Sequence, residues 1–310
     1  MGTPAFAARI LDQLLKWPGG VVAAAYCQPD RPCGRGRRCL PPPVKLRALQ
    51  AGLPVFQPLS FKDPADIEAL AGLAPDVLAV AAYGLILPKA VLEVPRRMAV
   101  NVHASLLPKH RGAAPIQRAL LNGEFVTGVT IMRMVEALDA GPILLQRALR
   151  IGEDEHAGHL EDQLADMGGE MLAEALTRLA EGRLTQIPQD EALATYAPKL
   201  KKDEGRIDWT RPAAEVHNRV RAMHHRPGAF FAWRGPKGKP LRLSLAPGRM
   251  GRALKPGERT GDILGEEEGA LAIAAADRVY LCPKVTPEGK KPMSATAFVC
   301  GYLARCAENP

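Results

Sequence analysis

The chain has 310 residues, of which 47% are apolar and 24% charged, a composition suited to two soluble globular domains. No run approaches the ~20 consecutive apolar residues of a membrane-spanning helix, and the opening MGTPAFAARILDQLLKW lacks the order of a signal peptide. The net charge of +8 is unevenly spread: residues 1–200 carry 21 basic and 21 acidic side chains, whereas residues 201–310 carry 20 and 12.

The first two-thirds of the chain alternates helix-like and strand-like segments. Residues 5–16, 43–51, 63–71 and 88–93 have helical patterns. VVAAAYCQ (21–28), DVLAVAAYG (76–84) and MAVNVHA (98–104) are apolar runs of buried-strand length. This alternation predicts an open, parallel α/β sheet, in which ligands sit at the carboxyl ends of the strands. A helix is expected at 114–121, followed by strands at 127–134 and 142–149 joined by the loop VEALDAG. Residues 156–181 read as a long acidic helix broken at Gly168-Gly169. Residues 186–204, with Pro188 and Pro198, read as a linker.

Beyond the linker the pattern changes. A short helix (213–223) precedes small strands at 229–233, 240–246, 262–265, 270–275 and 278–284, separated by Gly/Pro-rich turns. A last helix is expected near 295–305, capped by Ser294. Close-spaced short strands predict a small OB-like barrel, and a basic one suits a polyanionic ligand. The expected division is therefore 1–185, a linker at 186–204, and a basic domain at 205–310.

Within β-like residues 98–104, Asn101 and His103 lie two apart and project from one face, with Val100 and Val102 on the other. Without further context this is equally a polar strand end facing water. The six cysteines form no CxxC pair and no zinc spacing, which fits reduced thiols in a cytoplasmic protein. His156-Ala-Gly-His159 reads as a surface pair, so no metal site is expected. GxxxxGK[ST], GxSxG and a strand-borne GxGxxG are all absent. GRGRR (34–38) follows Pro-Asp-Arg-Pro and reads as a projecting loop.

NVHASLLPKHRGAAPIQRAL (101–120) resembles the signature of the 10-formyltetrahydrofolate-dependent formyltransferases. GAAPIQ, QPDRPCGRGRR, VAAYGLILPKAVLEVP, TGVTIMRM and PEGKKPMSA narrow the resemblance to members acting on methionyl initiator tRNA, in order along nearly the whole chain. The resemblance implies a Rossmann-like α/β domain with a mostly parallel sheet, followed by the OB-like domain. It implies Asn101, His103 and Asp139 as a catalytic trio, with Ser105, Leu106, Leu107 and Pro108 lining the site of 10-formyltetrahydrofolate. It also implies that the basic loop, with Arg35 at its key position and Arg37 and Arg38 beside it, contacts tRNA. Formyl transfer suits these residue types, since an amide N–H can meet a developing oxyanion, an imidazole can take the amine proton, and a carboxylate can hold the imidazole.

Two departures stand out: Ala104 replaces the family's usual glycine, and Pro142 stands where an acid is usual. The family also carries an apolar strand before Gly-Thr-Pro, which implies that the functional protein begins several residues upstream of Met1. A monomer is expected. The alternatives are a formyltransferase for a small ribonucleotide or sugar amine, and a non-catalytic tRNA-binding protein. Arg35→Ala is expected to raise KM for tRNA and to lower the salt slope of log K by about one. Binding assays over a salt series, with folate affinity as the unaffected control, check this.

Overall fold

The structure is a computed structural model and describes residues 1–33, 38–224, 227–235 and 240–303. Two compact units are present. The first comprises Met1–Pro115, Val126–Arg150 and Glu161–Ala197; the second comprises Ile116–Phe125, Ile151–Leu160 and the chain from Pro198 onward.

The amino-terminal region contains α1 (Ala5–Lys16), β1 (Ala25–Tyr26), β2 (Arg31–Cys33), β3 (Arg38–Leu40), α2 (Pro43–Gln50) and β4 (Val55–Phe56). It continues through α3 (Pro64–Gly72), β5 (Val77–Val80), α4 (Lys89–Leu92) and β6 (Met98–His103). Next come α5 (Pro115–Leu121), β7 (Val126–Arg133), β8 (Ile143–Arg150) and α6 (Ala157–Ala180). Local chemistry sets the boundaries. In α3, for example, Asp63 accepts a hydrogen bond from the Ala65 N–H, and Pro64 supplies a preset φ at the first helical position. The face of α1 that turns inward is apolar, burying Phe6, Ala7, Ile10 and Leu11.

The main sheet has the order β5-β6-β7-β8. Only β5–β6 is parallel in it; β6–β7 and β7–β8 are antiparallel, so the expectation of a mostly parallel sheet is corrected to a mixed one. The cause lies in the connections. A parallel pair needs a crossover that packs back on the sheet. The 134–142 loop is too short for one, and Leu121 of α5 packs instead against the apolar core of the second unit.

Two further expectations change in this unit. The strand-like run 21–28 forms ladder bonds only at Ala25–Tyr26, which pair in parallel with β4. A cavity of about 530 Å³, walled by Leu11, Ala23, Ala24, Leu78, Ala79 and Leu176 among others, lies beside Val21–Ala24. Among the described residues no strand pairs with Val21–Ala24. Gly168-Gly169 does not break α6, which runs without interruption. A Cβ at Gly168 would lie 2.8 Å from Val102 Cγ1, and one at Gly169 would lie 2.6 Å from Gln13 Cγ. The pair is there for close approach of the helix to β6 and α1.

The second unit adds α7 (Ala213–Ala222), β9 (Ala229–Arg234), β10 (Pro240–Leu245), β11 (Arg249–Ala253) and β12 (Ile263–Glu267). After these come β13 (Ala270–Ala274), β14 (Arg278–Cys282), β15 (Lys284–Pro287), β16 (Met293–Ser294) and α8 (Ala295–Phe298). They form two four-stranded antiparallel sheets, β16-β15-β10-β9 and β11-β14-β13-β12. The expected barrel is thus corrected: among the described residues no ladder closes one. The expected strand 278–284 explains why. It divides at Pro283, which has no N–H to donate, and the chain passes there from one sheet to the other. Trp209, Phe231, Tyr280 and Phe298 belong to the core of this unit. Ser294 caps α8 as expected, its hydroxyl accepting from the Ala297 N–H at 3.2 Å. Among the described residues no helix is long and apolar enough to cross a membrane.

Gly168→Ala is expected to destabilise the protein by about 1–3 kcal/mol through overpacking against Val102, although alanine has the higher helix propensity. Denaturant unfolding of the two forms checks the sign.

Candidate active site

β6 sits between β5 and β7, with Asn101 opposite Val80 on one side and Met132 on the other. Val100 and Val102 are fully buried, and Val102 faces Gly168 of α6. Alternation along the strand therefore sends Asn101 and His103 to the opposite face. Asn101 is half-buried there, and His103 is buried.

His103 is fixed through one ring nitrogen. Nε2 lies 2.9 Å from the carbonyl oxygen of His110. A carbonyl only accepts, so Nε2 carries a proton and donates it. Nδ1 then faces Asp139, whose Oδ2 is 3.6 Å away. The same Oδ2 accepts a 2.8 Å hydrogen bond from the Gly112 N–H. Burial is the main influence on the imidazole and pulls its pKa below the ordinary 6.5; the Asp139 charge and the His110 carbonyl oppose that pull.

Three residues around this contact hold the left-handed conformation: His110 at φ 62°, Gly112 at φ 121° and Asp139 at φ 49°. Histidine and aspartate are among the side chains that tolerate this region, at a cost. Asp139 belongs to the 134–142 loop, where a Cβ at Gly141 would collide with the Arg133 carbonyl at 1.8 Å.

The SLLP turn is anchored from β7 and β8. Thr130 Oγ1 donates to the Ser105 carbonyl at 2.7 Å and accepts from the Leu107 N–H at 3.1 Å. The Gln146 amide donates to the Leu107 carbonyl and to Thr130 Oγ1, both at 2.9 Å. Ser105 and Leu107 are buried, and the Ser105 hydroxyl donates to the Lys109 carbonyl at 2.6 Å. Leu106 and Pro108 are half-buried and offer part of their surface outward.

Sequence reasoning missed the network beside this turn. The segment 186–204, expected as a linker, is tied down as far as Ala197. Ile187 exchanges backbone hydrogen bonds with Ile143, Thr195 and Ala197 bond to Arg111, and Thr195 Oγ1 accepts from the His110 N–H at 2.9 Å. The Arg111 guanidinium, 2% exposed, makes paired contacts to both Glu191 oxygens at 2.8 and 2.7 Å and also donates to Gln189. The available signal was Arg111 itself: an arginine in a glycine-bearing turn just after NVHASLLP demands acceptors if it is buried.

Of the loop residues expected to meet tRNA, Arg35 and Arg37 lie outside the described residues. Arg38 begins β3, which pairs antiparallel with β2. His156 and His159 have ring centroids 6.3 Å apart, and His159 pairs with Glu155. Among the described residues, no group of three or more His, Cys, Asp or Glu side chains is arranged to hold a metal ion.

Comparison with known proteins decides the family. Residues 1–176 match the formyl transferase family, and residues 199–303 match the formyl transferase C-terminal domain. The methionyl-tRNA formyltransferase of Nitratidesulfovibrio vulgaris (strain Hildenborough) is 55% identical over 306 residues, covering 99% of this chain and 93% of that protein. The chain belongs to the methionyl-tRNA formyltransferases. Another relative of that name, from Citrifermentans bemidjiense, is 44% identical over 97% of this chain and 92% of its own length. The fold is also that of an N-formyltransferase from Helicobacter canadensis solved with folinic acid and dTDP-3-aminofucose. The TM-score is 0.62 at 17% identity, covering 91% of this chain and 97% of that one. HypX from Aquifex aeolicus with tetrahydrofolic acid gives a TM-score of 0.62 at 20% identity, covering 82% and 44%.

Because the folded protein disfavours the charged form of His103, the unfolded chain binds more protons as pH falls below about 6.5. Stability attributable to this group is complete above that pH and declines as pH drops through the lowered folded value. His103→Gln is expected to flatten the acid side of the stability profile by up to ~1.4 kcal/mol per pH unit. Unfolding curves at pH 7.5, 6.5 and 5.5 measure it.

Proposed function

We propose that the protein transfers the formyl group of 10-formyltetrahydrofolate to the α-amino group of methionyl initiator tRNA, with Asn101, His103 and Asp139 at the reacting centre. The observation that carries this reading is the contact between His103 Nδ1 and Asp139, made by residues from separate segments in a site the strand and loop hold rigidly. With Nε2 committed to the His110 carbonyl, two basic atoms face each other across 3.6 Å with no proton between them in the neutral state. Such a pair is built to take up one proton.

The folate supplies the formyl carbon. In the proposed reaction the lone pair of the amine forms the new C–N bond, and the bond from that carbon to the folate nitrogen breaks. His103 Nδ1 receives the proton the amine loses and passes it to the departing folate nitrogen, Asp139 stabilising the imidazolium in between. The Asn101 amide N–H donates to the carbonyl oxygen as negative charge gathers on it.

The residues near the site suit a flat, partly apolar donor. Leu85, Leu87 and Met134 join one apolar cluster with Tyr83, while Ile86 and Leu138 are 92% and 63% exposed. Apolar walls around a few polar groups are what such a pocket needs. Ser105, Leu106, Leu107 and Pro108 would contribute through the main chain and the outer surfaces of Leu106 and Pro108.

The charge distribution supports tRNA over a small amine as acceptor. Arg206, Arg211, Lys284, Lys290 and Lys291 of the carboxyl-terminal unit are exposed, and a small substrate has no use for such a surface. In this reading residues 205–310, with Arg35, Arg37 and Arg38, hold the acceptor tRNA. The working form is a monomer in the cytoplasm.

His103→Ala, Asn101→Ala and Asp139→Ala are each expected to cut kcat by roughly 10²–10⁴. Combined substitutions should cost far less than the product of the single losses. Formylation of charged initiator tRNA, run beside a free amine acceptor, is the assay. Near-normal turnover by His103→Ala would remove the mechanism, and equal rates on the free amine would favour the small-molecule reading.

A further inference from the structure

We infer that Gln189 is a positioning residue for the catalytic carboxylate: it clamps the left-handed Asp139 loop and so sets the distance from Asp139 to His103. This rests on the proposed role of the His103–Asp139 pair.

The side-chain amide of Gln189 uses its full hydrogen-bonding capacity. Its nitrogen donates to the Asp139 carbonyl at 2.8 Å and to the Gly141 carbonyl at 2.7 Å. Its oxygen accepts from Arg111 Nε at 3.1 Å and from Nη2 at 2.8 Å. An amide offers two donors and two acceptor sites, and here all are taken. The amide can stand only one way round, because guanidinium groups only donate and carbonyls only accept.

This places one side chain under the backbone at the position where the loop is most constrained. Asp139 itself has φ 49°, and Gly141 has no room for a side chain. Two residues after Asp139 and at Asp139 itself, the loop's carbonyls are held by the same NH₂ group. The carboxylate is gripped separately, by the Gly112 N–H at 2.8 Å. Gly112 follows Arg111, whose guanidinium is locked on Glu191 and whose backbone bonds to Thr195 and Ala197. The backbone and the side chain of Asp139 are thus referred to one anchor, Arg111, through two routes. Removing the Gln189 route leaves the carboxylate tethered by one N–H on a loop free to relax its φ.

Gln189→Glu separates the two halves of the clamp. The acceptor side toward Arg111 survives, but an oxygen replaces the NH₂ and faces two carbonyl oxygens. A displacement of about 1 Å at a reacting group can cost a hundredfold. Expected for Gln189→Glu is a kcat lower by about tenfold to a hundredfold, KM for both substrates within about twofold, and an unchanged thermal midpoint. In Gln189→Met, which adds no charge, the His103 ring should titrate lower than in the wild type. Asp139 is the carboxylate that raises it, while burial and the His110 imidazole lower it. Asp139→Asn must move the ring the same way and serves as the reference. If Gln189→Glu folds poorly, Gln189→Met, which removes the donors and also the acceptor for Arg111 without adding charge, carries the same expectation for kcat.

Wild-type kcat in either Gln189 variant, alongside an inactive His103→Ala, overturns this inference and leaves the proposed function standing. So does a loss explained by a fallen thermal midpoint with His103 titrating normally, since Gln189 would then be structural only. An active His103→Ala instead overturns the proposed function, and the role of Gln189 with it.

Discussion

The hydrogen bond from the His103 ring to the His110 carbonyl is the constraint around which the site is arranged. A buried imidazole has no water to satisfy it, so each nitrogen needs a protein partner or a substrate. By taking Nε2, the carbonyl decides which nitrogen is left open and turns it toward Asp139. It also obliges the chain to return on itself within a few residues of the strand end. That return is the SLLPKHRG turn, and its sequence follows from the requirement. Ser105 closes it from within through the Lys109 carbonyl, Thr130 and Gln146 hold it from the neighbouring strands, and His110 and Gly112 take the left-handed conformations that complete it.

Left-handed residues other than glycine cost of order 1–3 kcal/mol each and persist only where the surroundings over-determine them. His110 and Asp139 are both of this kind, and both are held by the segment that follows α6. Thr195 accepts from the backbone of one, and Gln189 donates to the backbone carbonyl of the other. The antiparallel β7–β8 hairpin contributes as well, because a hairpin delivers a tight loop from a rigid edge where a parallel pair would have delivered a helix. A mixed sheet is therefore part of how the carboxylate reaches the imidazole.

Much of this was legible in the sequence. α1 begins and ends where its pattern says, the β7–β8 hairpin follows its two apolar runs, and the i, i+2 spacing puts Asn101 and His103 on one face. What was hidden depended on partners distant in the chain. Gly168-Gly169 looks like a helix break until Val102 and Gln13 are seen against it. The 21–28 run reads as a strand throughout, but a strand exists only where another backbone pairs with it, and beside Val21–Ala24 lies a cavity. Residues 186–197 have no periodicity, because single side chains such as Gln189 and Thr195 do their work and a network leaves no repeating pattern. β15 and β16 are too short to show alternation, and Pro283 between β14 and β15 changes the sheet that the chain belongs to.

The electrostatics of the two halves of the sequence complete the account. A cation near His103 would lower its pKa further, which in the proposed reading weakens its uptake of a proton. The first 200 residues are balanced in charge, and Arg111, which adjoins the site, is neutralised by a paired carboxylate. The surplus of positive charge is carried by residues 201–310, which form the bulk of a separate compact unit. Exposed charges act over a Debye length of about 8 Å at physiological salt. Raising the salt concentration therefore shortens the reach of that surplus toward a polyanion. In the proposed reading, that charge gathers the tRNA together with Arg35, Arg37 and Arg38, and the His103–Asp139 pair moves the proton.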